Sequence, residues 1–172
     1  MVIMMLKWLA LTDEPWMVGT METPIGPLWA IHSDSGLVAA EFGEQCPTRF
    51  DGRTLCSTAL APWVQTLFDQ AFMQGIQGTW YALDLGLTKL ERALISTATQ
   101  IPFGHTCSYA TLAHWAGYPG RARAAGRAMS KVQIAYLVPT HRVIRSDGTA
   151  APGQRSSLVR ALRQYEQIVI KC

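Results

Sequence analysis

The chain has 172 residues, 49% hydrophobic and 16% charged with six Trp, so it is long enough for a cored domain or two small lobes and too apolar for wholesale disorder. No apolar run reaches the ~18 residues of a membrane span, and Cys46, Cys56, Cys107 and Cys172 are scattered without a CxxC pair, which argues against a zinc site or a disulfide framework and fits a reduced cytosol. The formal charge of +3 is uneven: residues 1–100 carry five Lys/Arg against ten Asp/Glu (−5), and residues 101–172 carry ten against two (+8), the balance expected when one lobe faces a polyanion or presents a solvated basic face.

The apolar start, Met1 to Leu11, is interrupted by Lys7 and has no basic stretch ahead of it, so it reads as an N-terminal strand rather than a signal peptide. Trp16 to Thr20, Pro27 to His32 and Leu37 to Phe42 are strand-like runs, separated by the turn signals Thr23-Pro24-Ile25-Gly26 and Ser33-Asp34-Ser35-Gly36. That spacing predicts an antiparallel meander. Leu60, Trp63, Val64, Leu67, Phe68, Ala71 and Phe72 recur at helical spacing and predict a helix ending near Gly75. Trp80 to Leu85 is a further strand or the connection between lobes. The expected organisation is an α/β lobe over 1–85 and a second domain over 86–172.

In the second half, Thr88 with Glu91 three residues later has capping-box spacing, and Leu90, Leu94, Ile95 and Ala98 form one apolar face. Ser108 is the cap of the next helix, with Leu112, Ala113 and Ala116 on its inner side. Gly117-Tyr118-Pro119-Gly120 breaks the chain, and a small-residue helix follows from Arg121 to about Ser130. Two short helices around a Gly/Pro turn, the second carrying Arg121, Arg123 and Arg127, have helix-turn-helix organisation. The other residues of that helix (Ala122, Ala124, Ala125, Gly126, Ala128) are too short to read base edges, so the expectation is DNA binding with little sequence readout. His32, His105 and His114 lack metal-ligand spacing, no phosphate-binding glycine loop is present, and no metal or cofactor is expected. Trp115 is read as packing on its helix face.

The runs IPFGHTCSYATLAHWAG, RARAAGRAM and VPTHRVIRSDG resemble the methylated-DNA–protein-cysteine methyltransferases, the O6-alkylguanine repair proteins. The resemblance runs without a gap from about Leu90 to Gly148, and TPIGPLWAIHSDSGLVAAEF is similar to the amino-terminal lobe of bacterial members. It implies a ribonuclease-H-like amino-terminal lobe (antiparallel sheet plus helix) followed by a mainly α, winged helix-turn-helix domain. It also implies binding in the minor groove of duplex DNA and flipping of an alkylated guanine out of the stack. By the same resemblance Tyr109 rotates the phosphate, and Arg123 fills the hole left in the duplex. Arg121, Ala122, Ala124, Gly126, Arg127 and Ser146 are further DNA contacts. Met129, Val138, Pro139, Thr140, Arg142 and Val143 line the lesion pocket, while His141 and Glu166, with a water, activate the nucleophile.

The nucleophile itself is absent: where the family signature is PCHR, this chain reads Pro139-Thr140-His141-Arg142. Alkyl transfer needs a soft thiolate. Cysteine, with a pKa near ~8.5, supplies one beside a histidine, whereas an aliphatic hydroxyl ionises far less and threonine is crowded at Cβ. The family's Asn-Pro hinge is here Val132-Gln133, which puts the hydrogen bonds of that turn in question. Its glycine-rich closing loop is here Ala151 to Ser157, without the tyrosine and paired glycines and with a shorter spacing to Glu166. These linked departures fit drift toward the alkyltransferase-like proteins, which bind alkylated guanine without repairing it and present it to nucleotide excision repair, although most of those lack the amino-terminal lobe. The reading is therefore a cytoplasmic, monomeric, lesion-binding protein that is not an enzyme. One alternative is an active methyltransferase carrying Thr140 as a variant or using another acceptor such as Cys107, and the second is a non-specific DNA-binding protein.

Overall fold

Turn chemistry organises the amino-terminal strands. Strand β2 (Met17–Thr23) reverses into β3 (Gly26–His32) through a turn in which Thr23 Oγ1 donates to the Gly26 carbonyl and accepts from the Ile25 N–H. Gly26 has φ +129°, a region favouring glycine. Ser33 closes the next turn: its N–H donates to the Gly36 carbonyl and its Oγ accepts from the Ser35 and Gly36 N–H groups, delivering the chain into β4 (Leu37–Phe42). The expected meander is present.

The computed structural model describes residues 5–74, 78–149 and 156–171. They fall into two compact units, one of residues up to Gly86 together with Gln133–Ala135, the other of Leu87–Val132 and the residues from Tyr136 on. In the first unit, β1 (Met5–Leu9) runs parallel to β8 (Thr79–Leu83), and β8 meets β4 in parallel through Leu37 and Ala82. With β7 (Cys56–Ser57) parallel to β2, the six-stranded order is β1-β8-β4-β3-β2-β7. The sheet is therefore mixed, not antiparallel as expected. β1 and β8 are separated by the meander and by α1 (Pro62–Gln74), and local turn signals carry no information about such distant pairing.

A small hairpin, β5 (Arg49–Phe50) with β6 (Arg53–Thr54), turns on Asp51-Gly52, both at positive φ; this Asp-Gly signal went unread in the sequence. One core cluster gathers Trp16, Val18, Trp29, Ile31, Val38 and Leu83, and α1 buries Val64, Leu67, Phe68, Ala71 and Phe72. Phe72 meets Phe42 edge to face, with centroids 6.4 Å apart. Gln133–Ala135 hydrogen-bonds both sides of Ala40: the Ala40 N–H donates to the Gln133 carbonyl at 2.7 Å, and the Ala135 N–H to the Ala40 carbonyl at 2.8 Å. Val132-Gln133 thus makes its turn with backbone hydrogen bonds.

In the second unit, α2 (Lys89–Ala98) carries the complete capping box between Thr88 and Glu91 and buries Leu94, Ile95 and Ala98. Ser108 caps α3 (Tyr109–Trp115), its Oγ accepting from the Thr111 N–H at 3.0 Å. The helix stops where Gly117 takes φ +83° and the Tyr118 N–H returns to the Ala113 carbonyl. Helix α4 (Ala122–Ser130) turns Ala124, Ala125, Ala128 and Met129 inward; short side chains there allow close approach to α2 and α3. Strands β9 (Cys107–Ser108) and β10 (Val143–Ile144) pair in parallel, and α5 (Ser156–Lys171) closes the described chain. Among the described residues no helix is long and apolar enough to cross a membrane.

Candidate functional site

Inward-facing alanines leave the opposite face of α4 to its arginines. Arg121, Arg123 and Arg127 are exposed, and their guanidinium groups have no ion-pair or hydrogen-bond partner among the described residues. Ala122 and Gly126 lie half-buried between them, whereas Ala124 is on the inner side and the structure does not bring it to this face. The first turn of a helix already carries positive character, so Arg121 and Arg123 add to an anion-attracting end. Tyr109 opens α3 half-buried; burial raises its hydroxyl pKa, opposed by Arg163 and Arg145. Ser146 is exposed. Trp115 is 56% exposed, correcting its reading as a packed residue: α3 ends there, and its buried side is filled by Leu112 and Ala113.

The second cluster is built on one carboxylate. Pro139 precedes a single 3-10 turn, Thr140–Arg142, that places His141 and Arg142 inward. Glu166, on α5, accepts from both: His141 Nε2 lies 2.7 Å from Oε1, and Arg142 donates through Nη2 at 2.7 Å and through Nε at 3.0 Å. The Gly104 N–H donates to Oε2 at 2.9 Å, and Arg142 Nη1 to the Ile101 carbonyl at 2.7 Å. All three side chains are nearly sealed, with 1%, 6% and 1% exposure for His141, Arg142 and Glu166. Arg142, expected as a pocket wall, is thus tied by its guanidinium to Glu166. Val138, Pro139 and Val143, which flank the turn, are buried, as is Met129 on α4, and Thr140 is half-buried.

Burial disfavours charge on Glu166, yet hydrogen bonds from His141 and Arg142 bring it down to about 2. His141 is pushed below its ordinary value, chiefly by burial, with the Glu166 carboxylate opposing. A neutral imidazole beside a carboxylate carries its proton on Nε2, leaving Nδ1 as the proton acceptor. Both groups have depressed values in the folded state, so each binds its proton more readily once unfolded. Stability is therefore full above the ordinary histidine value of 6.5, falls below it through His141, and falls again below 4.5 through Glu166. Thermal unfolding followed against pH checks this: the midpoint is expected to be level above neutrality and to drop steadily on acidification.

Several of the residues that hold this site escaped the sequence reading. Tyr136 has φ +69°, a strained conformation costing about 1–3 kcal/mol for a non-glycine residue, and stacks flat on His141 at 5.5 Å and 3°. Arg163 Nε donates to the His141 carbonyl at 2.6 Å. Phe103 lies under the Arg142 guanidinium at 5.4 Å. Of these, only an arginine on the inner face of α5, one turn before Glu166, leaves a trace in the sequence. Cys107, weighed as an alternative acceptor, is buried and its thiol pushed up to about 11 by that burial, which suppresses the reactive thiolate. The expected closing loop from Ala151 lies outside the described residues up to Arg155. Among the described residues no group of His, Cys, Asp and Glu is placed to hold a metal.

Comparison with known proteins gives this arrangement its relatives. The chain is 36% identical over 133 residues to the methylated-DNA–protein-cysteine methyltransferase of Mycobacterium leprae, covering 75% of this chain and 78% of that protein. The chain belongs to this methyltransferase family. The family domain described as "6-O-methylguanine DNA methyltransferase, DNA binding domain" matches residues 89–168. A Thermus thermophilus relative named "DNA base-flipping protein" is 33% identical over 131 residues, covering 74% of this chain and 84% of that one. Among solved structures, Mycobacterium tuberculosis OGT in complex with DNA has a TM-score of 0.72 at 29% identity, covering 89% of this chain and 94% of that chain. The mixed sheet followed by a helical carboxy-terminal part is the fold of this methyltransferase family.

Proposed function

We propose that the protein binds duplex DNA through the minor groove, flips alkylated guanine into a pocket beside Thr140, and holds it without accepting the alkyl group. The observation that carries this reading is Thr140 itself: the buried His141–Glu166 pair beside it is complete, and the residue it would serve has no thiol. A hydroxyl beside a neutral imidazole gives almost no alkoxide at neutral pH, and attack on an alkyl carbon needs an anion. Cys107 offers no substitute, since its thiol is buried and disfavours ionisation.

The DNA-holding parts are retained. The exposed Arg121, Arg123 and Arg127 on α4, with α3 and the Gly117–Gly120 turn before it, support a winged helix-turn-helix reading of 86–172. In this reading residues 1–85 are a supporting ribonuclease-H-like lobe. Arg123 enters the duplex in place of the flipped base, Tyr109 turns the phosphate, and Met129, Val138, Pro139 and Val143 wall the pocket. A relative named for base flipping and another solved with DNA support the same reading. A cytoplasmic monomer that hands lesions to nucleotide excision repair completes it.

Titration of matched duplexes, one carrying O6-methylguanine and one unmodified, tests the proposal at fixed salt. Arg123→Ala is expected to weaken lesion binding by about tenfold or more, ~1.4 kcal/mol, because the unstacking cost is no longer offset. Binding to the lesion duplex that is indifferent to Arg123→Ala contradicts the assigned role.

A further inference from the structure

Strands β9 and β10 pair in parallel, Val143 beside Cys107 and Ile144 beside Ser108, so both chains leave the same edge of the ladder. The residues that follow, Tyr109 and Arg145, therefore stand side by side. Tyr109 opens α3, whereas Arg145 opens a tight turn. In it the Arg145 N–H donates to the Thr149 carbonyl and the Gly148 N–H to the Arg145 carbonyl, at 2.9 Å each. Asp147 Oδ1 accepts from the Thr149 N–H at 2.9 Å and from its hydroxyl at 2.6 Å, which commits that carboxylate to the backbone of the turn. Its Oδ2 stands 4.0 Å from Arg145 Nε, with both side chains exposed, and the Arg145 guanidinium has no hydrogen bond among the described residues. Arg145 and Arg163 both act electrostatically on the Tyr109 hydroxyl. Arg163 is half-buried and tied to the His141 carbonyl, which leaves Arg145 as the exposed cation beside Tyr109.

We infer that Arg145 binds the phosphate of the flipped nucleotide together with Tyr109, so that the two adjacent strand ends form one phosphate site. The inference rests on the lesion-flipping reading above, in which Tyr109 turns that phosphate. Arg145 supplies what a phenol lacks: a permanent positive charge and a planar fork of N–H donors that matches two phosphate oxygens. Its backbone is held by the turn while its side chain is free, so the contact costs no existing hydrogen bond among the described residues. Arg145 also follows the Thr140–Arg142 turn directly after β10, which puts the lesion pocket and the phosphate site on one continuous segment. The phosphate takes up its rotated position when the nucleotide is flipped. Contact with Arg145 therefore adds to the preference for the lesion and not only to general affinity for the duplex.

The test is an anisotropy titration, over a range of salt, of four duplexes of one sequence. One is unmodified and one carries a single O6-methylguanine. The other two carry that lesion with a neutral methylphosphonate at one or the other phosphate flanking it. Arg145→Ala is expected to weaken binding of the lesion duplex about tenfold, to weaken the unmodified duplex less, and to lower the salt slope by about one. Arg145→Lys is expected to keep the slope and part of the affinity. At one of the two flanking positions the methylphosphonate is expected to cost the parent about tenfold and Arg145→Ala much less. Thermal unfolding checks folding, and Arg145→Gln takes the place of an alanine variant that does not fold. Unchanged affinity in Arg145→Ala, or a methylphosphonate cost at both flanks as large in the variant as in the parent, overturns the Arg145 assignment and leaves lesion flipping standing. A parent that binds the lesion duplex and its unmodified twin equally overturns both.

Discussion

Thr140→Cys is expected to convert the protein into a single-turnover alkyl acceptor. The change restores a thiol at the start of the 3-10 turn, next to an imidazole whose Nε2 is held by Glu166 at 2.7 Å and whose Nδ1 is left to take a proton. A cysteine starts near pKa ~8.5, within reach of a histidine at neutral pH, whereas the hydroxyl of threonine does not. The groups that would activate that thiol are in place. Glu166 is ionised, His141 is neutral, and Tyr136 stacks on the imidazole at 5.5 Å to fix its plane. Intact mass after incubation with an O6-methylguanine duplex reads the result: a gain of one methyl group in Thr140→Cys and none in the parent. A variant that folds, binds the lesion and gains no mass would show that the site has lost more than its nucleophile.

The second large effect is on stability. Glu166→Ala removes the carboxylate that, among the described residues, answers the buried guanidinium of Arg142, and it also frees the Gly104 N–H. Breaking a buried ion pair by deleting one partner costs about 3–5 kcal/mol, because the surviving charge stays desolvated without a partner. Against a typical total stability of about 5–15 kcal/mol, that is a large fraction. Denaturant unfolding is expected to show a midpoint lowered accordingly. Glu166→Gln retains hydrogen bonding but not charge and is expected to fall between the parent and the alanine variant. An alanine variant as stable as the parent would mean that Arg142 finds another answer to its charge.

The local elements were legible because local chemistry forms them. Thr88 and Glu91, Ser108, and the two serine- and threonine-closed turns each place a side-chain oxygen on a backbone N–H a few residues away, so sequence spacing and structure coincide. The parallel placement of β8 beside β1 and β4 was not legible, since its hydrogen bonds join strands separated by most of the first unit. The site divides in the same way. His141 and Glu166 were named from the family motif, and the structure brings them into contact across 25 positions of sequence. The groups that complete their environment are backbone atoms, Gly104 N–H and the Ile101 and His141 carbonyls, which no residue identity reveals. Tyr136 was missed because its positive φ is imposed by the fold and is rare for its residue type.

The central claim is recognition of alkylated guanine without transfer. Its most direct test is titration of a short duplex carrying one O6-methylguanine against its unmodified twin at fixed salt, followed by intact mass of the protein. Tighter binding to the lesion with no change in mass is the predicted result. A gain of one methyl group on any residue, or equal binding to the two duplexes, would contradict it.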